Sequence, residues 1–202
     1  MNLYLNDLPE DITFQGSVAI DTETMGLVPR RDRLCLVQLC SNDGAVHLVQ
    51  IQRGMQKEAK NLKKMLTDKS ILKIFHFARF DLAILNHTFD IHVTSVYCTK
   101  VASKLARTYS DKHGLKNLCK EILNTDISKQ EQSSDWGREQ LTAEQLKYAT
   151  GDVLYLHRLK EKLDGMLIRE NRMNLAQRCF KILELFPDLE LAGVNPDELF
   201  LH

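Results

Sequence analysis

Short apolar runs separated by turn residues fill the first part of this chain, and apolar stripes at helical spacing fill the rest. Residues 17–23, with Val18, Ala19 and Ile20 at their centre, read as a first buried strand. After the basic turn Val28-Pro29-Arg30-Arg31-Asp32-Arg33, Leu34–Cys40 reads as a second strand, Ser41-Asn42-Asp43-Gly44 as a hairpin turn, and Ala45–Ile51 as a third strand. Connections this short predict an antiparallel start to a sheet. Residues 1–15, interrupted by Pro9, show little periodicity and read as irregular.

Helical spacing begins with Ala59, Leu62, Met65 and Leu66, predicting a helix over Met55–Leu66. Ile71–Phe75 is a short strand, and Leu82, Leu85 and Phe89 place a helix from Ala78 onward. A strand near His92–Val96 leads to helices around 97–106 and 114–124, then to a polar, loop-like stretch from Asn124 to Gly137. Thr142 with Gln145 forms a capping-box pattern that opens a long helix. A final helix over Met166–Phe186, with Leu175, Ala176, Cys179, Leu183 and Phe186 in one stripe and Phe180 beside it, precedes a tail containing Pro187 and Pro196. Strands alternating with helices, without repeat or linker, make residues 1–202 one α/β domain.

Charge narrows the partners. Twenty-seven Lys and Arg balance 27 Asp and Glu, so the surplus with which proteins grip long duplexes is lacking. A small ligand or a few phosphates suit this balance better. The five cysteines are scattered without a CxxC pair, as in a protein kept reduced. No apolar run approaches the roughly 18 residues of a membrane span, and no leader pattern opens the chain. A cytoplasmic location without membrane contact is the expectation.

Candidate chemistry lies in acids at the ends of these elements. Asp21 and Glu23 sit two residues apart where the first strand ends, so both carboxylates leave it on one face and repel unless a cation lies between them. Taken alone, the pair reads equally well as a polar strand end before a Gly turn. Asp81 follows Phe75-His76-Phe77-Ala78-Arg79-Phe80 at a helix opening, where a simple cap is the plainer account of a lone Asp. Tyr148 and Asp152, four apart on the long helix, share a face beside the stripe of Ala149, Val153, Leu156 and Leu163. Gly151 between them costs on the order of 1 kcal/mol against Ala, which suggests a close backbone approach to the strand carrying Asp21. Four carboxylates together suit two divalent ions about 3.5–4 Å apart, the arrangement of phosphoryl transfer, and hard oxygen ligands favour Mg²⁺ or Mn²⁺.

The ordered set of D-x-E at Asp21 and Glu23, F-H-x-A-x-F-D ending at Asp81 and Y-x-x-x-D from Tyr148 to Asp152 resembles the ribonuclease D family of DEDDy 3′–5′ exonucleases. Ser134-Asp135-Trp136 before the long helix also resembles that family. The resemblance covers roughly residues 15–165. It implies a ribonuclease H-like fold, a mixed sheet flanked by helices. It also implies that Asp21, Glu23, Asp81 and Asp152 ligate metal while Tyr148 orients the attacking water. The related enzymes with a catalytic His five residues before the last Asp have Lys147 at that position here, and His157 follows Asp152. Larger ribonuclease D proteins continue into helical RNA-binding domains, whereas this chain stops at His202. Its compactness and the run from Tyr109 to Leu115, through Ser128-Lys129-Gln130 to Trp136, resemble the short nano-RNase C branch. That branch implies degradation of diribonucleotides such as pGpG by a ring-like homo-octamer. A general 3′-end exonuclease on longer RNA or DNA is the rival, and a non-catalytic nucleic-acid-binding module is the rival of another class.

Candidate substrate contacts surround the acids. Thr22 lies between two of them, and Met25, Gly26 and Leu27 follow, where an apolar side chain could wedge between bases and Gly26 could admit a sugar-phosphate. A buried loop anchor is the alternative for that segment. His76 and Arg79 are candidates for a terminal phosphate and Phe77 for base stacking, with Phe80 assigned to the core. Lys100, Arg107, Lys112, His113, Lys116 and Lys129 form a diffuse basic region, mostly a solvated face. Phe186 and Leu199-Phe200 favour self-association through the tail.

Overall fold

The computed structural model describes all residues except 128–130, 132, 200 and 202. The strands are β1 (Asn2–Leu5), β2 (Ser17–Thr24), β3 (Leu34–Ser41), β4 (Val46–Gln50), β5 (Leu72–Phe75) and β6 (Val96–Cys98). The helices are α1 (Lys60–Thr67), α2 (Ala78–Phe89), α3 (Thr99–Ala106), α4 (Leu115–Leu123), α5 (Ala143–Leu154), α6 (Leu156–Arg169), α7 (Met173–Leu183), α8 (Phe186–Leu191) and α9 (Pro196–Leu199). The sheet order is β1-β4-β3-β2-β5-β6. β2, β3 and β4 form the expected antiparallel meander, while β1, β5 and β6 join in parallel, so the sheet is mixed. Helices cover both faces, which is why Val18, Ala19 and Ile20 are all fully buried. One apolar cluster runs from Leu8 to Leu183.

Several boundaries differ from the sequence expectations. β1 was expected to be irregular; it is a short edge strand whose Leu3 and Leu5 stay exposed, so no burial pattern marks it. α1 starts at Lys60 rather than Met55, because the Asp7 carboxylate accepts from the backbone N–H groups of Asn61 (2.9 Å) and Leu62 (2.8 Å) and caps it from outside. β6 lies at 96–98, after Ser95 turns the chain with φ 58°. The capping box at Thr142 and Gln145 is present, but the long helix divides at Tyr155 into α5 and α6. The predicted helix over Met166–Phe186 is interrupted by Asn171 at φ 54°, so Met166 belongs to α6. The buried stripe of α7 is Ala176, Phe180 and Leu183, with Leu175 facing outward. All five cysteines are free, and Cys179 alone of them is not fully buried. No helix among the described residues is long and apolar enough to cross a membrane.

Candidate active site

The end of β2 distributes three side chains over two faces of the sheet. Asp21 and Glu23 project together toward α5, where a carboxylate oxygen of each lies within 4.8 Å of one from Asp152. Thr22 points to the other face, toward α2, and its hydroxyl donates to Oδ1 of Asp81 at 2.6 Å. β2 thus couples both acid-bearing helices. Asp81 stands outside the Asp21–Glu23–Asp152 trio, yet it is buried within electrostatic reach of all three. Tyr148 stands one turn before Asp152 on the same side of α5, close enough to feel the Asp152 charge, and lines the same cleft.

Burial and mutual repulsion show in the proton affinities. Burial, then the charges of Asp152 and Asp81, push Glu23 up to about 9. Asp21 is raised well above the carboxylate range by burial and by Asp81, Asp152 and Glu23. Asp81 rises to about 7, chiefly by burial, with the Thr22 hydroxyl opposing the shift. Burial and the neighbouring carboxylates also raise Tyr148, keeping its phenol protonated and able to donate. Converging carboxylates that resist ionisation are a donor set short of positive charge. An all-oxygen set of this kind fits a hard divalent cation such as Mg²⁺.

These groups line a cleft of about 860 Å³. Met25 and Leu27 sit at its wall, 51% and 82% exposed, which excludes the buried-anchor reading. Gly26 lines it too, and a Cβ there would come within 2.3 Å of the Asp32 carboxylate, so the packing of Asp32 by itself requires a residue without a side chain. His76 lines the cleft with Nδ1 2.9 Å from the Thr99 hydroxyl. Phe77 adopts a left-handed conformation at φ 69°, half exposed, with Lys100 Nζ 3.8 Å from its ring centre. Phe80, assigned to the core, is partly buried and shares the cleft wall.

Arg79 is not at the cleft. It pairs with Glu190 of α8 and, at 2.8 Å, with Asp197 of α9, and its guanidinium lies over the Phe186 ring. Two acids from the C-terminal segment claim the charge that a phosphate would need. Gly151 makes no close approach either, because a Cβ there would meet nothing within 4 Å. Of the basic region, Lys100 and Lys116 reach the cleft, whereas Arg107 is buried against Glu121 and the Lys112 carbonyl. Ser128, Lys129, Gln130 and Phe200 lie outside the described residues. The sequence reading left Trp136 without a role. It is 2% exposed, lines the cleft, and its ring centre lies 6.0 Å from that of Tyr148. A single tryptophan just ahead of a capped helix was the available signal.

Residues 4–168 match the 3′–5′ exonuclease family. The chain belongs to that family. Among 3′–5′ exonucleases it is similar to ribonuclease D of Gluconacetobacter diazotrophicus, with 31% identity over 170 residues, 84% of this chain and 42% of that protein. The chain therefore spans less than half the length of that relative. The solved structure of Brucella melitensis NrnC bound to pGG is 52% identical, with a TM-score of 0.95 over 100% of this chain and 98% of that one. The same protein with bound Mg²⁺ is 51% identical, with a TM-score of 0.94 over the same shares. These likenesses agree with the mixed sheet flanked by helices that the motifs implied, the ribonuclease H-like fold of these exonucleases.

Proposed function

We propose that this chain is a divalent-metal-dependent 3′–5′ exoribonuclease that releases nucleoside 5′-monophosphates and is specialised for very short RNA, diribonucleotides such as pGpG foremost. The observation that carries the reading is the convergence of Asp21, Glu23 and Asp152 within 4.8 Å, with Tyr148 one turn from Asp152 in the same cleft and Asp81 bound to the Thr22 hydroxyl beside them. Asp21, Glu23, Asp81 and Asp152 are the ligands for two Mg²⁺ or Mn²⁺ ions. Such ions, when bound, activate water and stabilise the departing 3′ oxygen.

The chain's own residues do the rest. Tyr148 keeps its proton in this acidic surrounding and orients the attacking water; its high proton affinity rules out a role as base. Exposed Leu27 and Met25 enter between the two bases, Phe77 offers a stacking face, and Lys100 and Lys116 supply positive charge for a terminal phosphate. His76 fixes the same wall through Thr99. Supporting the dinucleotide preference are the balanced net charge and the full-length likeness to a protein solved with pGG. In this reading residues 1–202 act as a single unit in the cytoplasm, within a homo-oligomer that is an octamer by family resemblance.

Digestion of 5′-labelled RNAs of two and seven nucleotides with Mg²⁺ tests the reading. The expected result is rapid loss of the dinucleotide, slow trimming of the longer RNA, no reaction in EDTA and none by Asp21→Asn, whose folding is unchanged. Equal turnover of both lengths refutes the specialisation and favours a general 3′-end exonuclease. Activity of Asp21→Asn refutes the site.

A further inference from the structure

Residues 133–139 form a strap across one side of the catalytic cleft, and three polar side chains hold it down. Gln145, fully buried, donates from Nε2 to the Ser134 hydroxyl at 2.8 Å and the Asp135 carbonyl at 3.0 Å. Its Oε1 meanwhile accepts from the Thr142 N–H and closes the capping box of α5. Gln50, at the end of β4, donates to the carbonyls of Arg138 (2.9 Å) and Glu139 (3.2 Å). Arg33 donates to the Gly137 carbonyl at 3.2 Å. Gly137 itself is packed so closely that a Cβ would fall 2.4 Å from Met25 Sδ.

The strap delivers Trp136 against Tyr148, with rings tilted by 43°. Gln145 and Tyr148 are three residues apart on one side of α5, so the same helix anchors the strap and carries the phenol. The indole N–H is buried and has no acceptor among the described residues. An unpaired buried donor is unfavourable, and Phe or Leu would avoid it. What the larger ring supplies is a flat face that leaves the Tyr148 ring one place to stand.

We propose that Trp136 is a positioning residue that acts through Tyr148, the strap fixing the phenol in reach of the attacking water. The inference rests on the reading of Tyr148 given above. Misplacement of an orienting group lowers the rate of the chemical step more than the binding of substrate.

The test is steady-state hydrolysis of pGpG with Mg²⁺ by Trp136→Leu, Trp136→Phe, Tyr148→Phe and the double variant Trp136→Leu/Tyr148→Phe. Trp136→Leu is expected to lower kcat about tenfold with KM within about twofold, and Trp136→Phe to recover most of the loss. In the Tyr148→Phe background, Trp136→Leu should add almost nothing, because the group it acts through is gone. Gln50→Met, which loosens the strap without touching either ring, should lower kcat in the same non-additive way and serves if Trp136→Leu fails to fold. As Trp136 is the single tryptophan, its emission should also shift in Tyr148→Leu. Unchanged kcat in Trp136→Leu and Gln50→Met, a loss confined to KM, losses that multiply in the double variant, or unshifted emission each overturn the proposal. Full activity of Tyr148→Phe alone instead overturns the reading of Tyr148.

Discussion

Removing the charge of Glu23 should stabilise the metal-free protein, and more so as pH rises. In the fold Glu23 holds its proton up to about 9, against an ordinary value of 4.5. A raised acid makes the folded state the better proton binder, so its contribution is intact below about 4.5 and is lost as pH climbs toward 9. At pH 7 the full shift would amount to about 3 kcal/mol at 1.36 kcal/mol per unit. Glu23 is only half-buried and its titration is tied to the charges of Asp152 and Asp81, which reduces this to about 1–2 kcal/mol. For a chain of this size that is on the order of 5 °C in Tm. His47 and His157, whose burial depresses their proton affinity, act with the opposite sign below their ordinary value of 6.5. Comparison of wild type with Glu23→Gln cancels them. Thermal melts of both proteins in EDTA from pH 5.5 to 8 should therefore diverge, Glu23→Gln melting increasingly above wild type, and saturating Mg²⁺ should raise the wild type and reverse the order. Parallel curves across that range, or a Glu23→Gln protein that is always less stable, would show that the carboxylates do not repel and that the site is not short of positive charge.

Three further outcomes follow from the cleft and its surroundings. Gly151→Ala should raise stability by about 1 kcal/mol in urea unfolding, since a Cβ there meets open space and Ala is the better helix former; a destabilised variant would restore the close-approach reading. Leu27→Ala should raise KM for pGpG about tenfold with kcat nearly unchanged, by removing an 82% exposed side chain at the cleft wall; unchanged KM would remove Leu27 from substrate contact. Arg79→Met should lower stability by roughly 1 kcal/mol through its pairs with Glu190 and Asp197 and leave KM for pGpG alone. A large rise in KM would return Arg79 to the phosphate.

The acids were legible because period-2 alternation and helical i, i+4 spacing are local rules, so Asp21 with Glu23, and Tyr148 with Asp152, could be assigned to shared faces before any tertiary contact was known. The same alternation implies that Thr22 leaves on the opposite face, but its use there depends on α2 passing underneath, which is a fact of packing. Arg79 was misread for a related reason: beside Asp81 in sequence it looks like a phosphate ligand, and only the return of the chain through α8 and α9 shows that Glu190 and Asp197 occupy it. Trp136 combines both cases. Its place in the chain marked it as familiar, yet its position depends on Arg33, Gln50 and Gln145, drawn from the loop before β3, from β4 and from α5, which hold one strap. Residues that face the reaction are thus specified by local period. Those that hold them in place are specified by contacts across the chain, which is why local period could bring Asp21 and Glu23 to one face but could not find the residues that support the cleft.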